Sequence, residues 1–296
     1  MTEGAPPVSS RRPVQVSGEV FAVKRAGDYF HVTLVADGVA ERARPGSFVA
    51  LTVGGDTSGV LLRRAFFIYR ARAAGVYGGT VELVVSVRGV GTDWLVTRPQ
   101  HTQVDVVGPL GRPFALPKES ISCALVGSGY RSAPLFGLAE RLRERGCGVH
   151  MVIGADTESR LFGALEARRS AQSVTVTTED GSVGIRGTVT EPLPQLLARN
   201  QIDVVYAAGP VAMLKSVVDI ACTAGAWSQT ALEPAMACCV GVCMACVVPV
   251  VAEGNVVKLS RACVEGPVFA GEKVRWHELT GSPVDAARSL QSKEAP

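Results

Sequence analysis

Five of the chain's eight cysteines fall in one short stretch near its C-terminal end: Cys238, Cys239, Cys243, Cys246 and Cys263. From about residue 228 onward, the sequence shows neither the period of a helix nor that of a long strand, and only short apolar runs occur at Val247–Val251 and Val256–Leu259. Such a segment has too few apolar residues in register to build its own core. We therefore expect a ligand to organise it.

The spacing of four of these cysteines indicates which ligand. Cys238-x4-Cys243-x2-Cys246, followed after sixteen residues by Cys263, is the plant-type order Cys-x4-Cys-x2-Cys…Cys of a 2Fe-2S cluster. Structural zinc sites usually pair two short C-x2–4-C knuckles, so a zinc site is the weaker alternative and a metal-free loop the weakest. We predict Cys238, Cys243, Cys246 and Cys263 as cluster ligands and Cys239 as an unligated neighbour.

The cysteine-rich stretch overlaps eighteen residues without a charge, Ala235–Ala252, close to the length of a membrane span. Four cysteines, Gly241 and Pro249 lie inside it, which favours a metal-binding loop and no membrane span. Residues 1–13 are polar and lack the apolar run of a signal peptide, so they are predicted to be a flexible tail of a cytoplasmic protein.

Composition excludes several classes of protein. Hydrophobic residues make up 47% and charged residues 19%, which is typical of a globular chain and not of a disordered one. The net charge is only +3, and the basic residues occur as scattered pairs, so nucleic acid is not an expected partner.

The first half of the chain carries short alternating segments separated by Gly and Pro. This pattern predicts an antiparallel β-barrel over residues 14–117. One short helix is expected at Trp94–Thr97, with Thr92 or Asp93 as its N-cap. The predicted strands are Val14–Lys24, Tyr29–Val35, Ser47–Val53, Phe66–Ala71, Thr80–Val87 and Thr102–Val107.

After residue 118 the period changes to alternating strands and helices, which predicts a Rossmann-like parallel sheet over residues 118–227. The cluster module then occupies residues 228–296. The predicted fold is thus multidomain, β plus α/β. The predicted helices are Ser132–Arg145, Ser159–Arg169, Glu191–Asn200 and Ala212–Thr223.

Several strings, taken in their order along the chain, carry a family resemblance. The chain resembles the electron-transfer subunit of class 1B dihydroorotate dehydrogenase, in the ferredoxin–NADP reductase superfamily. The strings are Leu62–Ile68, Val87–Thr92, Asp105–Gly111, Thr178–Ser182, Ala208–Pro210, Glu233–Cys246 and Cys263–Phe269.

The resemblance implies that the barrel binds FAD, that the parallel-sheet domain binds NAD(H), and that the cluster passes electrons to an FMN-containing catalytic subunit. It further implies a hetero-oligomer, with a heterotetramer as one arrangement. Because they are apolar, Val247–Val251 or Phe269 are expected to contribute to the contact. The implied cofactor-binding residues are Arg64, Ala65, Phe66, Phe67, Gly89, Gly91 and Thr92 for FAD, and Gly127, Gly129, Arg131, Gly209 and Pro210 for the nucleotide.

Three positions depart from the family pattern. Phe67 stands where relatives carry Ser or Thr, whose hydroxyl can hydrogen-bond the flavin. Arg131 replaces a glycine of the nucleotide loop, and its long side chain would obstruct the pyrophosphate unless it swings out and meets the phosphate itself. Ala208 replaces a cysteine of the nicotinamide pocket. Together they predict that NADH oxidation is weakened, lost or replaced by another electron source.

Two other functions remain open at this point. One is a stand-alone NAD(P)H reductase for a diffusible acceptor. The other is a scaffold subunit that keeps the fold and lacks NADH activity.

Overall fold

The computed structural model describes residues 12–55, 58–73, 75 and 78–279. Almost all of the predicted tail, and residues 280–296 of the predicted cluster module, lie outside the described residues.

A closed barrel of six antiparallel strands forms the N-terminal part, as the alternating pattern predicts. The strands are β1 (Val14–Ala26), β2 (Tyr29–Val35), β3 (Phe48–Leu51), β4 (Arg64–Arg72), β5 (Thr80–Val85) and β6 (Gln103–Leu110). They pair in the order β1-β2-β5-β4-β3-β6, and the interior is filled by branched side chains such as Val32, Leu34 and Leu83. Because the barrel is closed, none of its six strands has a free edge with which another chain could pair.

The helix α1 (Val90–Val96) connects β5 to β6 and begins earlier than predicted. Its N-cap is Gly89, not Thr92 or Asp93. The hydroxyl of Thr92 accepts hydrogen bonds from the N–H groups of Arg88, at 2.8 Å, and Gly89, at 3.3 Å. Thr92 therefore closes the turn from inside the helix, a capping arrangement that the sequence pattern did not identify.

A parallel sheet with helices on both faces follows, as predicted. Its strands are β7 (Ser122–Ser128), β8 (Gly148–Ala155), β9 (Ser173–Thr178), β10 (Ile185–Arg186), β11 (Val204–Ala208) and β12 (Trp227–Ala231), in the order β10-β9-β8-β7-β11-β12. The helices α2 (Ala133–Glu144) and α3 (Ala164–Ser170) cover one face, and α4 (Leu193–Asn200) and α5 (Val211–Thr223) the other. Because the strand order reverses between β7 and β11, a crevice is expected at their carboxyl ends.

Two details of this sheet differ from the sequence prediction. The predicted helix Ser159–Arg169 is a 3₁₀ turn, Glu158–Arg160, and then α3, because Gly163 between them has φ +71° and packs against the ring of Phe136. The sheet also continues past residue 227, since β12 pairs with β11 along its whole length.

The last part of the chain folds back onto the sheet. Residues 232–246, here called the cluster loop, lead into the hairpin β13 (Val247–Val251) and β14 (Val257–Arg261). Strand β15 (Val268–Ala270) then pairs antiparallel with β12, and α6 (Trp276–Leu279) ends the described chain.

One apolar core joins all three parts. We call it the shared core: it contains Phe48 and Leu110 of the barrel, apolar residues of α4 and α5, and the cysteines Cys239, Cys246 and Cys263. The cluster loop is thus packed against both the barrel and the sheet. Over residues 12–279, apart from the short gaps, no helix is long and apolar enough to cross a membrane.

Candidate functional site

The backbone of the cluster loop turns repeatedly through left-handed conformations. Cys239, Gly241 and Met244 have φ of 63°, 85° and 58°. At Gly241 a glycine is required, because a Cβ there would lie 2.6 Å from Cγ2 of Val264. Alternation of this kind aims successive backbone N–H groups into a concavity, which is how loops of this type surround an anionic cluster.

The four predicted ligands form two thiol pairs in the structure. The side chains of Cys238 and Cys243 are neighbours, and so are those of Cys246 and Cys263. A 2Fe-2S cluster held by four cysteines needs two thiolates on each iron, so the two pairs fit that cluster.

Among the described residues, no group of three or more His, Cys, Asp or Glu side chains is placed so that it could hold a metal ion. This finding does not decide between zinc and a 2Fe-2S cluster. The spacing of the cysteines favours the cluster, because it has the plant-type order.

The backbone of the loop prepares Cys238 to be a ligand. Burial raises the pKa of its thiol, but backbone N–H groups, that of Cys243 foremost, lower the pKa to about 6. The N–H groups of Val242 and Cys243 lie 3.3 and 3.4 Å from its sulfur. Because metals bind the thiolate, these donors favour coordination.

The neighbouring Cys239 has a different environment. Its side chain is in the shared core and only 1% exposed. Burial, with the adjacent thiols, raises the pKa of Cys239 to about 11. A neutral, apolar thiol in this position suits packing and not ligation.

A polar clasp fixes the cluster loop to the strand that precedes Cys263. Nη1 of Arg261 donates to the carbonyl of Gly241 at 2.9 Å, and the N–H of Arg261 donates to Glu265 at 2.7 Å. Lys258 donates to the other oxygen of Glu265 at 2.8 Å. These hydrogen bonds, that from Lys258 foremost, lower the pKa of Glu265 to about 2, which keeps the clasp charged.

A cavity of about 660 Å³ lies at the end of the barrel beside α1. Four of the residues predicted to bind FAD line it: Arg64, Gly89, Gly91 and Thr92. A Cβ on Gly91 would be 3.5 Å from Nε of Arg64, so the guanidinium is adjacent to the start of the helix. A cation beside backbone N–H groups is a suitable place for a diphosphate.

The remaining predicted flavin residues lie outside this cavity. Ala65 and Phe67 pack against the shared core, on the outer face of β4, whereas Phe66 packs against the barrel interior. Phe67 also contacts the core beneath α2, so its ring lies where barrel and sheet meet.

A second pocket, of about 320 Å³, lies at the crevice expected from the strand order. Ser128, Asp156, Glu179 and Pro210 line it, at or just beyond the carboxyl ends of β7, β8, β9 and β11. Sequence reasoning named Pro210 and missed Asp156, although a carboxylate directly after the second strand of such a sheet is a recognisable signal.

The predicted glycines of this region do not line the pocket. Gly127 packs against Ser132, because a Cβ added to Gly127 would lie 2.5 Å from Cβ of Ser132. Gly209 lies against the side chain of Met213. Gly129, with φ +55°, lies beside the hydroxyl of Tyr29. Their role in the structure is close packing of backbone around the pocket.

Arg131 turns away from the pocket. Its Nε donates to Glu233 at 2.6 Å, and its guanidinium lies 5.0 Å from the ring centroid of Tyr130. The hydroxyl of Tyr130 contacts the same carboxylate at 3.2 Å, and the guanidinium of Arg88 lies 5.5 Å from the same ring centroid. Glu233 thus binds the guanidinium, and Arg131 is not among the residues that line the pocket. Sequence reasoning did not identify this partner.

Comparison with known proteins agrees with this architecture. Residues 233–275 match the family model described as the iron-sulfur cluster binding domain of dihydroorotate dehydrogenase B. The electron transfer subunit of dihydroorotate dehydrogenase B (NAD(+)) from Desulforamulus reducens is 32% identical over 85% of this chain and 94% of its own length. A homolog of that subunit from Thermotoga maritima is 33% identical over 87% of this chain and 86% of its own.

Solved structures share the fold. A chain of an NADH-dependent reduced ferredoxin-NADP oxidoreductase, studied for flavin-based electron bifurcation, superposes with a TM-score of 0.77 and 31% identity, over 90% of this chain and 92% of that one. A ferredoxin NADP+ reductase from Neisseria gonorrhoeae with bound FAD and NADP superposes with a TM-score of 0.57 over 72% of this chain and 92% of that one. At 15% identity the second likeness shows the fold alone.

The barrel, the parallel sheet and the paired thiols define an iron–sulfur flavoprotein of the ferredoxin–NADP reductase type, with a 2Fe-2S cluster and FAD as its cofactors. The chain belongs to the family of dihydroorotate dehydrogenase B electron transfer subunits, which confirms the resemblance seen in the sequence.

Proposed function

We propose that this chain relays electrons between NAD(H) and an FMN-containing, dihydroorotate-dehydrogenase-like catalytic subunit, through FAD in the barrel and the 2Fe-2S cluster in the C-terminal loop. A nicotinamide exchanges two electrons as hydride, a flavin can pass them on singly, and a cluster carries one at a time. The residues of this chain bind and orient these groups.

The shared core is the observation that carries the proposal. Ala65 and Phe67, which follow the cavity-lining Arg64 on β4, pack against the same core as Cys239, Cys246 and Cys263. The strand beside the flavin cavity and the cluster loop therefore meet in one apolar core. Electron transfer between the two cofactors requires such proximity and no large movement.

The assignment of cofactor-binding residues follows from the two cavities. Arg64 and the backbone of Gly91 would hold the FAD pyrophosphate, with Gly89 and Thr92 shaping the turn. Asp156, Glu179 and Pro210 would line the nucleotide site. Their position at the carboxyl end of the sheet supports the binding of NAD(H) there. Cys238 with Cys243, and Cys246 with Cys263, would each bind one iron.

The position of Phe67 supports the prediction that hydride transfer from NADH to the flavin is impaired. Its side chain offers no hydrogen bond to a flavin at the junction of barrel and sheet. Arg131, in contrast, is bound by Glu233 and does not line the nucleotide pocket. We therefore expect nucleotide binding to be retained and the rate of flavin reduction by NADH to be lowered.

The cluster loop exposes apolar side chains that suit contact with the catalytic subunit. Val240, Val242 and Met244 are 52%, 79% and 48% exposed and flank the exposed Cys243. The two contacts expected from the sequence are less suitable, since Phe269 is buried and most of β13 is at least partly covered. Apolar side chains exposed beside a redox centre favour a docking face there.

The test is an anaerobic visible spectrum of the full chain purified with its catalytic partner, taken before and after one equivalent of NADH and then after dithionite. Bleaching of flavin and cluster by NADH, followed by reduction of the partner's FMN, supports the proposal. A chain that lacks flavin and cluster after anaerobic purification would overturn it.

A Cys243→Ser chain is the matched control. NADH should still bleach its flavin, while electrons no longer reach the partner. Full activity of the partner with Cys243→Ser would instead favour the scaffold function, and rapid reduction of a diffusible acceptor without any partner would favour the stand-alone reductase.

A further inference from the structure

The adjacent arginines Arg63 and Arg64 point to different places. Arg64 lines the flavin cavity, but Arg63 does not. Because side chains alternate along an extended segment, Arg63 lies on the same side as Ala65 and Phe67, the residues that pack against the shared core. Arg63 therefore belongs to the face of the barrel turned towards the cluster loop.

The guanidinium of Arg63 is held on one side only. Its Nη2 donates to Asp105 on β6 at 2.7 Å, and Gln15 on β1 donates to both oxygens of the same carboxylate at 2.9 and 3.1 Å. Its Nη1 is buried and has no hydrogen-bond partner among the described residues. A buried, unpartnered donor on a permanent cation is unusual, because buried polar groups are nearly always hydrogen-bonded.

Neighbouring residues connect this cation to the cluster loop. Val107, two residues after Asp105 on the same face of β6, packs against the core that contains Cys239, Cys246 and Cys263. Through Asp105 and the adjoining Val107, the charge of Arg63 is therefore held beside the core that contains the cluster loop.

We propose that Arg63, fixed by Asp105, is a positioning residue that sets the reduction potential of the 2Fe-2S cluster. This inference rests on the proposed function. The potential of a cluster depends on nearby charge, on hydrogen bonds to its sulfurs and on burial. Reduction adds one electron and hence one negative charge, so a fixed cation favours the reduced form and raises the potential, while the Asp105 carboxylate partly offsets it.

The experiment is a redox titration of the full-length holoprotein followed by the electron paramagnetic resonance signal of the reduced cluster. Arg63→Gln removes the charge and should lower the equilibrium constant for cluster reduction about tenfold, which for a one-electron couple is about 59 mV. A unit charge at a separation on the order of 10 Å, in a medium of effective dielectric constant about 20, has an effect of this size.

Two further variants test the sign and the role of charge. Arg63→Lys keeps the charge and should stay near the parent potential. Asp105→Asn removes the offsetting carboxylate and should raise the potential, so it decides the question even where Arg63→Gln folds poorly. Arg199→Gln, an exposed change on α4, is the matched control and should leave the potential unchanged.

Iron, sulfide and flavin contents are measured in every variant. An unchanged cluster potential in Arg63→Gln or Asp105→Asn at full cofactor content would overturn the inference, as would a shift confined to the flavin. Absence of a cluster in the parent chain would overturn the proposed function, so the two failures are distinguishable.

Discussion

Nε of Arg131, on the loop after β7, donates to Oε2 of Glu233, where the cluster loop begins, at 2.6 Å. The two side chains are only 17% and 33% exposed, and Tyr130 contacts the same carboxylate. This ion pair joins the nucleotide-binding loop to the cluster loop. It also keeps a long cationic side chain away from the pocket that we assign to NAD(H).

The ion pair should contribute measurably to stability. Glu233→Gln leaves the guanidinium of Arg131 without its charged partner in a partly buried place, and the free energy of unfolding should fall by about 1–3 kcal/mol. Denaturant unfolding measures this. The control is Glu144→Gln, which breaks the exposed Arg141–Glu144 pair and should change stability by less than about 1 kcal/mol. Equal effects of the two changes would contradict a special role for Glu233.

Restoring a hydroxyl at residue 67 should speed the reduction of the flavin. In Phe67→Ser, a donor returns to the junction of barrel and sheet, and the rate at which NADH bleaches the flavin should rise about tenfold or more. Stopped-flow absorbance under anaerobic conditions measures the rate. Phe67→Ala removes the same ring without adding a donor, so identical rates in Phe67→Ser and Phe67→Ala would contradict the explanation.

The adjacent cysteines should respond differently to substitution. Cys238→Ser removes one member of a thiol pair, and the purified chain should lose its cluster. Cys239→Ala should keep the cluster, because the thiol of Cys239 lies in the shared core and not with the pairs. Iron and acid-labile sulfide analysis checks both variants. Loss of the cluster in Cys239→Ala at retained flavin content would show that the four ligands are wrongly assigned.

The tight turn at Gly241 should be needed for cluster incorporation. Gly241→Ala combines a φ of 85° with a Cβ only 2.6 Å from Val264, so both backbone strain and a clash result. Gly254→Ala is the matched control, with φ 72° and no atom within 4 Å of the added Cβ. The control should lose about 1–2 kcal/mol of stability from strain alone, and Gly241→Ala should lose more. Cluster content and thermal unfolding are measured in both variants. Equal losses of stability in Gly241→Ala and Gly254→Ala would contradict a role for close packing at Gly241.

Local patterns along the chain determine much of the fold. Alternation of apolar residues over 14–117 predicts the six strands of the barrel, and the change of period after residue 118 predicts the parallel sheet. The spacing of Cys238, Cys243, Cys246 and Cys263 indicates the cluster, because four thiolates on two irons restrict the length of the loop between ligands. These signals are periods and spacings along the chain, so no knowledge of tertiary contacts is needed to detect them.

Other features depend on residues distant in sequence that meet only in the folded chain. The partner of Arg131 is Glu233 and the partner of Arg63 is Asp105, and neither partner is close to its arginine in the sequence. The strand Trp227–Ala231 has weak strand character by itself and is a strand because β11 and β15 offer it hydrogen bonds on both edges. A sequence pattern reports the local preference of a segment, whereas ion pairs and sheet edges are selected by the burial of groups that must find partners.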